Sequence, residues 1–351
     1  MSNQLRDSAA VKTLTNKLAR LERPIRIMEV CGTHTMSIGR WGLRKLLPPS
    51  LQLISGPGCP VCVTPVSYFD ALWQLPDVTI AVFGDLLRVP GSHGTLENAR
   101  ARGMDVQVVH GPEQALKLAR KRATVLAAVG FETTTPGIAD TIRRAAEEKL
   151  DGFHVLCGCK LVEPALCALL DGKPDIDGFL LPGHVSAITG SNAFDFLPRD
   201  YAASGVVAGF EPVDILAALV LLARMICAGE PGVRNAYPRI VTPQGNQHAQ
   251  KLIRDVFVPI DTEWRGLGII PASGLGLAPR YAHLDAARHY GLSLDPVPEP
   301  PGCRCGDVLQ GRMLPHECPL FAQGCTPSSP VGPCMVSSEG SCAAWYRYER
   351  A

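Results

Sequence analysis

Residues 25–36 read IRIMEVCGTHTM and residues 51–62 read LQLISGPGCPVC. Each opens on a short apolar run and breaks into a glycine-containing turn that carries cysteine, so Ile25 to Val30 and Leu51 to Ser55 read as buried strands. The pattern recurs outward from there at Val78 to Phe83 and Val106 to Val109, then at Val125 to Val129, His154 to Leu156, Gly178 to Leu181 and Gly205 to Ala208. Helix-like stretches such as Gly137 to Leu150 and Val213 to Ala228 lie between them, and such alternation implies parallel sheets. The expected fold is therefore α/β, with two similar parallel-sheet units. The strands tend to end in Gly-containing turns (CGTH, GPG, FGD, GFET, PGH and GFEP), and loops at the carboxyl ends of parallel strands are where α/β folds build their sites. A further strand candidate, Leu267 to Pro271, follows a helix-like Gly245 to Phe257 and is expected to return to the first sheet. Beyond Leu294 come DPVPEPPG and a Cys, Pro and Gly-rich tail too irregular to fold without a staple.

A chain of 351 residues suggests two or three domains, after a basic, helical opening over residues 5 to 22. With 34 basic against 33 acidic side chains there is no field to attract a polyanion, and nucleic acid is not an expected partner. The first thirty residues hold no apolar stretch of signal-peptide type, and no later run approaches the roughly 20 residues that span a bilayer, so a cytoplasmic protein without membrane contact is expected. In that reducing compartment, thirteen cysteines point to metal ligation or redox chemistry more than to structural disulfides. No phosphate-cradling glycine loop and no G-x-G-x-x-G follows a strand, so nucleotide binding finds no support.

Six cysteines fall in the tail, at 303, 305, 318, 325, 334 and 342. Their wide, uneven separations favour an iron-sulfur cluster, gripped by loops from several directions, over zinc, which usually shows two close pairs. Cys59 and Cys62 form a C-x-x-C pair directly after a strand, which suits a reversible dithiol or half of an open metal site. The competing zinc knuckle needs a second pair, for which Cys157 and Cys159 are available. Cys31 and His34 end the first strand, a thiolate ligand with its base or hydrogen-bonding partner, next to Gly32. Cys167 and Cys227 lie in apolar helical patterns and are assigned to the core, and packing is also the reading for Cys157 and Cys159. Asp85, Glu132, Thr133, Thr134, His184 and Glu211 stand at turns after strands, where helix capping competes with a place in a cleft.

Taken together, CGTHTM, GPGCPVC, FGDLLRVPGS, GFETTTP, PGHVS, VVAGFEPVDIL, GCRCGDVLQG, CPLFAQGCTP and PVGPCMVSSEG, in order from residue 31 to 340, resemble the HypD family of hydrogenase maturation proteins. The resemblance implies two α/β domains facing a cleft and an irregular, partly helical C-terminal iron-sulfur domain. These are placed at 25–122 with 236–280 returning, at 123–235, and at 281–351 together with an N-terminal helix over 1–24. It implies a 4Fe-4S cluster on Cys303, Cys318, Cys325 and Cys342, separated by fourteen, six and sixteen residues, with Cys305 and Cys334 as bystanders. It further implies an iron ion handled by Cys31, Cys59 and Cys62 while cyanide and carbonyl ligands are installed for nickel-iron hydrogenase. The implied partners are a HypC-type small chaperone and a HypE-type cyanide donor, with the chain a monomer when free. Such a protein is an assembly scaffold with redox activity rather than a turnover enzyme. The alternatives are a 4Fe-4S-dependent dithiol/disulfide oxidoreductase and a zinc-stabilised interaction module.

Overall fold

The computed structural model describes residues 4–350; positions 1–3 and 351, at the two ends of the expected cluster domain, lie outside the described residues. A five-stranded sheet runs in the order β2-β1-β7-β8-β9, from Leu51–Ser55 (β2), Ile25–Glu29 (β1), Gly178–Pro182 (β7), Ser204–Ala208 (β8) and Val233–Asn235 (β9). A four-stranded sheet runs β4-β3-β5-β6, from Val106–Val109 (β4), Thr79–Phe83 (β3), Thr124–Gly130 (β5) and Phe153–Cys159 (β6). Every neighbouring pair in both sheets is parallel, as expected for α/β architecture.

The strands are shared out differently from their order along the chain. The chain leaves the first sheet after β2, builds the whole second sheet, and returns for β7 beside β1, where Met28 pairs with Phe179. The division expected at residue 122 therefore falls within the second sheet, between β4 and β5. Strand periodicity reports which residues are buried, not which strand lies next to which.

Two further expectations are corrected. Leu267 to Pro271 does not join the first sheet: it belongs to Gly268–Leu277 (β11), which forms an antiparallel hairpin with Phe257–Trp264 (β10). That hairpin meets the second sheet through the Leu161 N-H to Ser273 carbonyl bond of 2.8 Å. Phe257, Leu275 and Leu277 share a core with Val155 and Ile142, so this apolar packing attaches the hairpin part of the 236–280 return to β3–β6, while Ala236 and Asn246 still bond to Val207 and Ile188 of the first unit. The N-terminal helix Ser8–Leu18 in turn lies against the first sheet, with Leu18 in one core with Ile25, Ile27 and Leu219.

Local sequence accounts for the helices that frame the site. Pro212 opens the helix Pro212–Ala228, where a missing N-H costs nothing, and Gly229 closes it at φ 67°. Ile138, Ile142 and Ala145 lie on one face of Thr135–Glu147 and are buried against the second sheet.

Candidate functional site

Because β1 and β2 are adjacent and parallel, their carboxyl-end turns meet. Gly58 lies so close to the backbone of Cys31 that a Cβ there would collide with it, and the Gly32 N-H donates to the Gly58 carbonyl at 3.0 Å. Cys31 caps the helix Gly32–Arg40. It is 7% exposed, hence enclosed rather than on an open turn. Burial pushes its thiol up to about 11, aided by the Glu339 carboxylate and opposed by the N-H groups of His34 and Thr33.

Cys59 caps the short helix Pro60–Val63, and its sulfur accepts from the Cys62 N-H at 3.2 Å. The two cysteines are joined as a disulfide, with Cα atoms 5.2 Å apart, within the usual span for such a bond. Both are buried.

The His34 imidazole does not face Cys31 as a base. Its Nε2 pairs with the Gly209 carbonyl at 3.0 Å, and Nδ1 has no partner. Burial lowers its pKa to about 4, so the ring is neutral near pH 7. Phe210 lies between it and His184, with ring centroids 4.8 and 4.0 Å away. His34 thus fixes the β1 turn against the β8 turn, and its contribution toward Cys31 is the backbone N-H.

The tail closes this region. The Glu339 carboxylate accepts from Thr33 Oγ1 at 2.5 Å, and Asp85, after β3, accepts from Ser337 and Ser338 at 3.1 and 3.3 Å. Ser337–Glu339 therefore bridges strand ends of both sheets directly above Cys31. Gly32 has no room for a Cβ beneath Glu339. In the sequence the signal for this bridge is a carboxylate and two hydroxyls between cysteines, Ser337, Ser338 and Glu339.

Behind that bridge, Cys303, Cys305, Cys318, Cys325 and Cys342 line one small cavity with Val308, Leu320, Phe321 and Met335. Cys334 is fully buried beside it. Interaction with Cys305 raises the Cys334 thiol and lowers that of Cys342. Cys303, half-buried beside Cys305, is raised. Cys305 and Cys334, expected as bystanders, thus stand in the same thiol group as the four expected ligands. Among the described residues no three His, Cys, Asp or Glu side chains converge as ligands of a single ion do. A cubane asks for something else: four thiolates around a cage, one to each iron. The five lining cysteines fit that demand.

The remaining candidates are placed as follows. Glu132 is buried, accepts the Val162 N-H at 2.9 Å through one oxygen and leaves the other unpartnered; burial raises its pKa to about 7. Thr134 caps the following helix by position, without a side-chain bond; Thr133 is exposed. Glu211 pairs with Arg6 at 2.6 Å. Cys159 is buried and Cys157 and Cys167 are half-buried, whereas Cys227, assigned to the core, is exposed: it falls on the outer face near the end of its helix. No helix among the described residues is long and apolar enough to cross a membrane.

Facing strand ends that gather an enclosed thiol, a dithiol helix and a cage of tail cysteines define a cysteine-centred α/β protein suited to thiolate ligation and thiol redox chemistry. A family model named HypD and described as "Hydrogenase formation hypA family" matches residues 7–349. The chain is 46% identical over 338 residues to the hydrogenase maturation factor HypD of Escherichia coli (strain K12), covering 94% of this chain and 90% of that protein. It is 43% identical over 367 residues to the Rhodobacter capsulatus factor of the same name, covering 99% and 97%, and 42% identical over 365 residues to that of Azotobacter vinelandii, covering 99% and 96%. The chain belongs to the HypD family, as the resemblance in its motifs implied.

Proposed function

We propose that the chain is a hydrogenase maturation scaffold on which Cys31 holds an iron ion while cyanide and carbonyl ligands are added to it. The observation that carries this reading is the Ser337–Glu339 bridge, which seats a segment of the cysteine tail on Thr33 and Asp85 around Cys31. Iron binding deprotonates the thiol, and the N-H groups at the helix start then face a thiolate. Soft thiolate ligands suit an iron made electron-rich by strong-field ligands. A HypC-type chaperone would bring the iron and a HypE-type protein the cyanide; the relatives' names, hydrogenase maturation factor HypD, agree with work in such an assembly line.

Cys303, Cys318, Cys325 and Cys342 are the residues we assign to a 4Fe-4S cluster, which when bound supplies low-potential one-electron transfer. Reducing the Cys59–Cys62 bond takes two electrons and two protons and yields two thiols. Pro60–Val63 packs on Pro333–Met335, so the helix that carries the dithiol lies beside the tail segment that holds Cys334. The disulfide itself favours a second reading, a dithiol/disulfide oxidoreductase that handles no iron at Cys31.

Infrared spectroscopy of the purified chain with its small chaperone partner separates the two. The scaffold reading expects cyanide and carbonyl stretches that vanish in Cys31→Ala while the visible iron-sulfur absorption stays. Bands of normal intensity in that variant place the iron elsewhere; their absence from the unmodified complex leaves the oxidoreductase.

A further inference from the structure

The C-terminal helix Ser341–Tyr348, which carries Cys342, is seated against the helix that Cys31 caps. Gly39 of that helix leaves no spare room beneath Tyr348, since a Cβ there would lie 3.1 Å from the ring. Beside this contact stands Arg44, in a short 3₁₀ turn over Leu43–Leu46 that lies outside every motif of the family resemblance.

One side of the Arg44 guanidinium is tied to the first sheet. Nη2 donates to Glu29 Oε1 at 2.6 Å and Nη1 to the Leu53 carbonyl at 3.0 Å. Glu29 ends β1 two residues before Cys31, and its carboxylate is fully enclosed. Its other oxygen accepts from Thr35 Oγ1 at 2.6 Å, and the Thr35 N-H donates to the Cys31 carbonyl at 3.2 Å. A buried carboxylate that loses its cation is left as an unpaired charge, so this side does not let go.

The other side faces the tail and is loose. The guanidinium lies over the Trp345 ring at 5.0 Å, and Trp345 is stacked on His316 at 5.0 Å. Nε stands 3.6 Å from Glu349 Oε1, beyond hydrogen-bond reach. Arg44 Nε, Glu349 Oε1 and Trp345 Nε1 are all buried without a partner. Orphaned polar atoms cost free energy, and these three fall on one seam, between Arg44 and the C-terminal helix. The seam parts with no hydrogen bond of the guanidinium lost, whereas the strand side cannot.

We propose that Arg44 is a positioning residue for Cys31 and the catch of a latch: it passes the seating of the C-terminal helix, through Glu29 and Thr35, to the turn that carries the thiol. With the helix seated, Trp345 and Glu349 confine the guanidinium from the tail side, and the helix start around Cys31 is held. With the helix lifted, Arg44 gains freedom on that side, and the helix start loosens while β1 stays in its sheet. The inference concerns how the thiol is placed and holds whether or not Cys31 binds iron.

The test is timed alkylation of the full-length protein by iodoacetamide under native conditions, with Cys31 and exposed Cys227 read from the same digests by mass spectrometry. Trp345→Leu removes the tail-side face and leaves Arg44, Glu29 and Thr35 in place; the Cys31 rate relative to Cys227 should rise roughly fivefold. Trp345→Phe keeps an aromatic face against the guanidinium and should restore most of the protection. Arg44→Lys keeps a cation for Glu29 but loses the planar fork that also reaches Leu53 and Trp345, so its Cys31 rate should rise at least as far. Glu349→Gln is the mildest change and decides the matter if the others fail to fold, with about a twofold rise expected. A side chain that only adds stability lowers the urea midpoint when replaced and leaves the native ratio of the two rates where it was. Ratios equal to that of the unmodified chain in every folded variant overturn the inference.

Discussion

His34 and Glu132 are both buried, and each is held in its neutral form by the same cost of burying charge. Their linkage to pH has opposite signs. The folded pKa of His34, about 4, lies below the ordinary 6.5, so its contribution is present above pH 6.5 and is lost as pH falls through 4. That of Glu132, about 7, lies above 4.5, so its contribution is present below pH 4.5 and is lost as pH rises through 7. Between pH 7 and 5 each moves stability by ~2 kcal/mol in opposite directions, and the pair nearly cancels. His34→Gln should therefore become more stable on going from pH 7 to 5, relative to the unmodified chain, and Glu132→Gln less stable. Urea midpoints at the two pH values check this; parallel pH profiles for all three proteins refute it. The sequence offered His34 as a base or hydrogen-bonding partner for Cys31, from which only two residues separate it. The structure turns the ring toward Gly209, since which way a side chain leaves a helix start depends on the neighbouring strand, and that strand comes from 175 residues away.

At the scale of elements, the glycines of CGTH and GPGC are explained by two turns that share one space. Gly58→Ala would drive a methyl group into the backbone of Cys31, and the turn must move. A cost of ~1–3 kcal/mol is expected, as for overpacking in a tight interior. Gly84→Ala, where a Cβ meets only Val108 at 3.9 Å, should stay within ~0.5 kcal/mol of the unmodified chain. Chemical denaturation of the two variants makes the comparison, and equal midpoints would show that the turns yield freely. Most strands could be read from sequence to within a residue or two: Leu51–Ser55 and Val106–Val109 are found as expected because an apolar run between glycine or polar turns has few other uses. The hairpin was missed. β10 carries Val258, Ile260 and Asp261 in the open, so it lacks the buried face that announces a strand, and β11 contains three glycines.

In the whole molecule the two sheets interleave along the chain, and the tail touches strand ends of both. Strand order could not be read locally, because β1 gains β7 as a neighbour only after the second sheet is complete. The grouping of tail cysteines was legible from their spacing in an irregular segment, but the bridge over Cys31 was not, since Thr33 and Glu339 lie 306 residues apart. That bridge yields a test joining the two sites. The tail has little regular structure of its own, so the cluster proposed above is expected to order it. Losing that centre should loosen Ser337–Glu339, while Cys31, after a strand whose Ile25 and Ile27 pack in a core without tail residues, keeps its place. In the unmodified protein Cys31 is enclosed and its thiol sits near 11, so alkylation by iodoacetamide at pH 8 should be much slower there than at exposed Cys227. Cys318→Ser should abolish the iron-sulfur absorption and, by freeing Glu339 from Thr33, admit both solvent and reagent to Cys31. Its alkylation should then rise by at least tenfold, with Cys227 unchanged as the internal standard. Mass spectrometry of timed digests reads both rates. If Cys31 stays as protected in Cys318→Ser as in the unmodified chain, the cover over it does not depend on the cysteine centre, and the two sites are structurally independent.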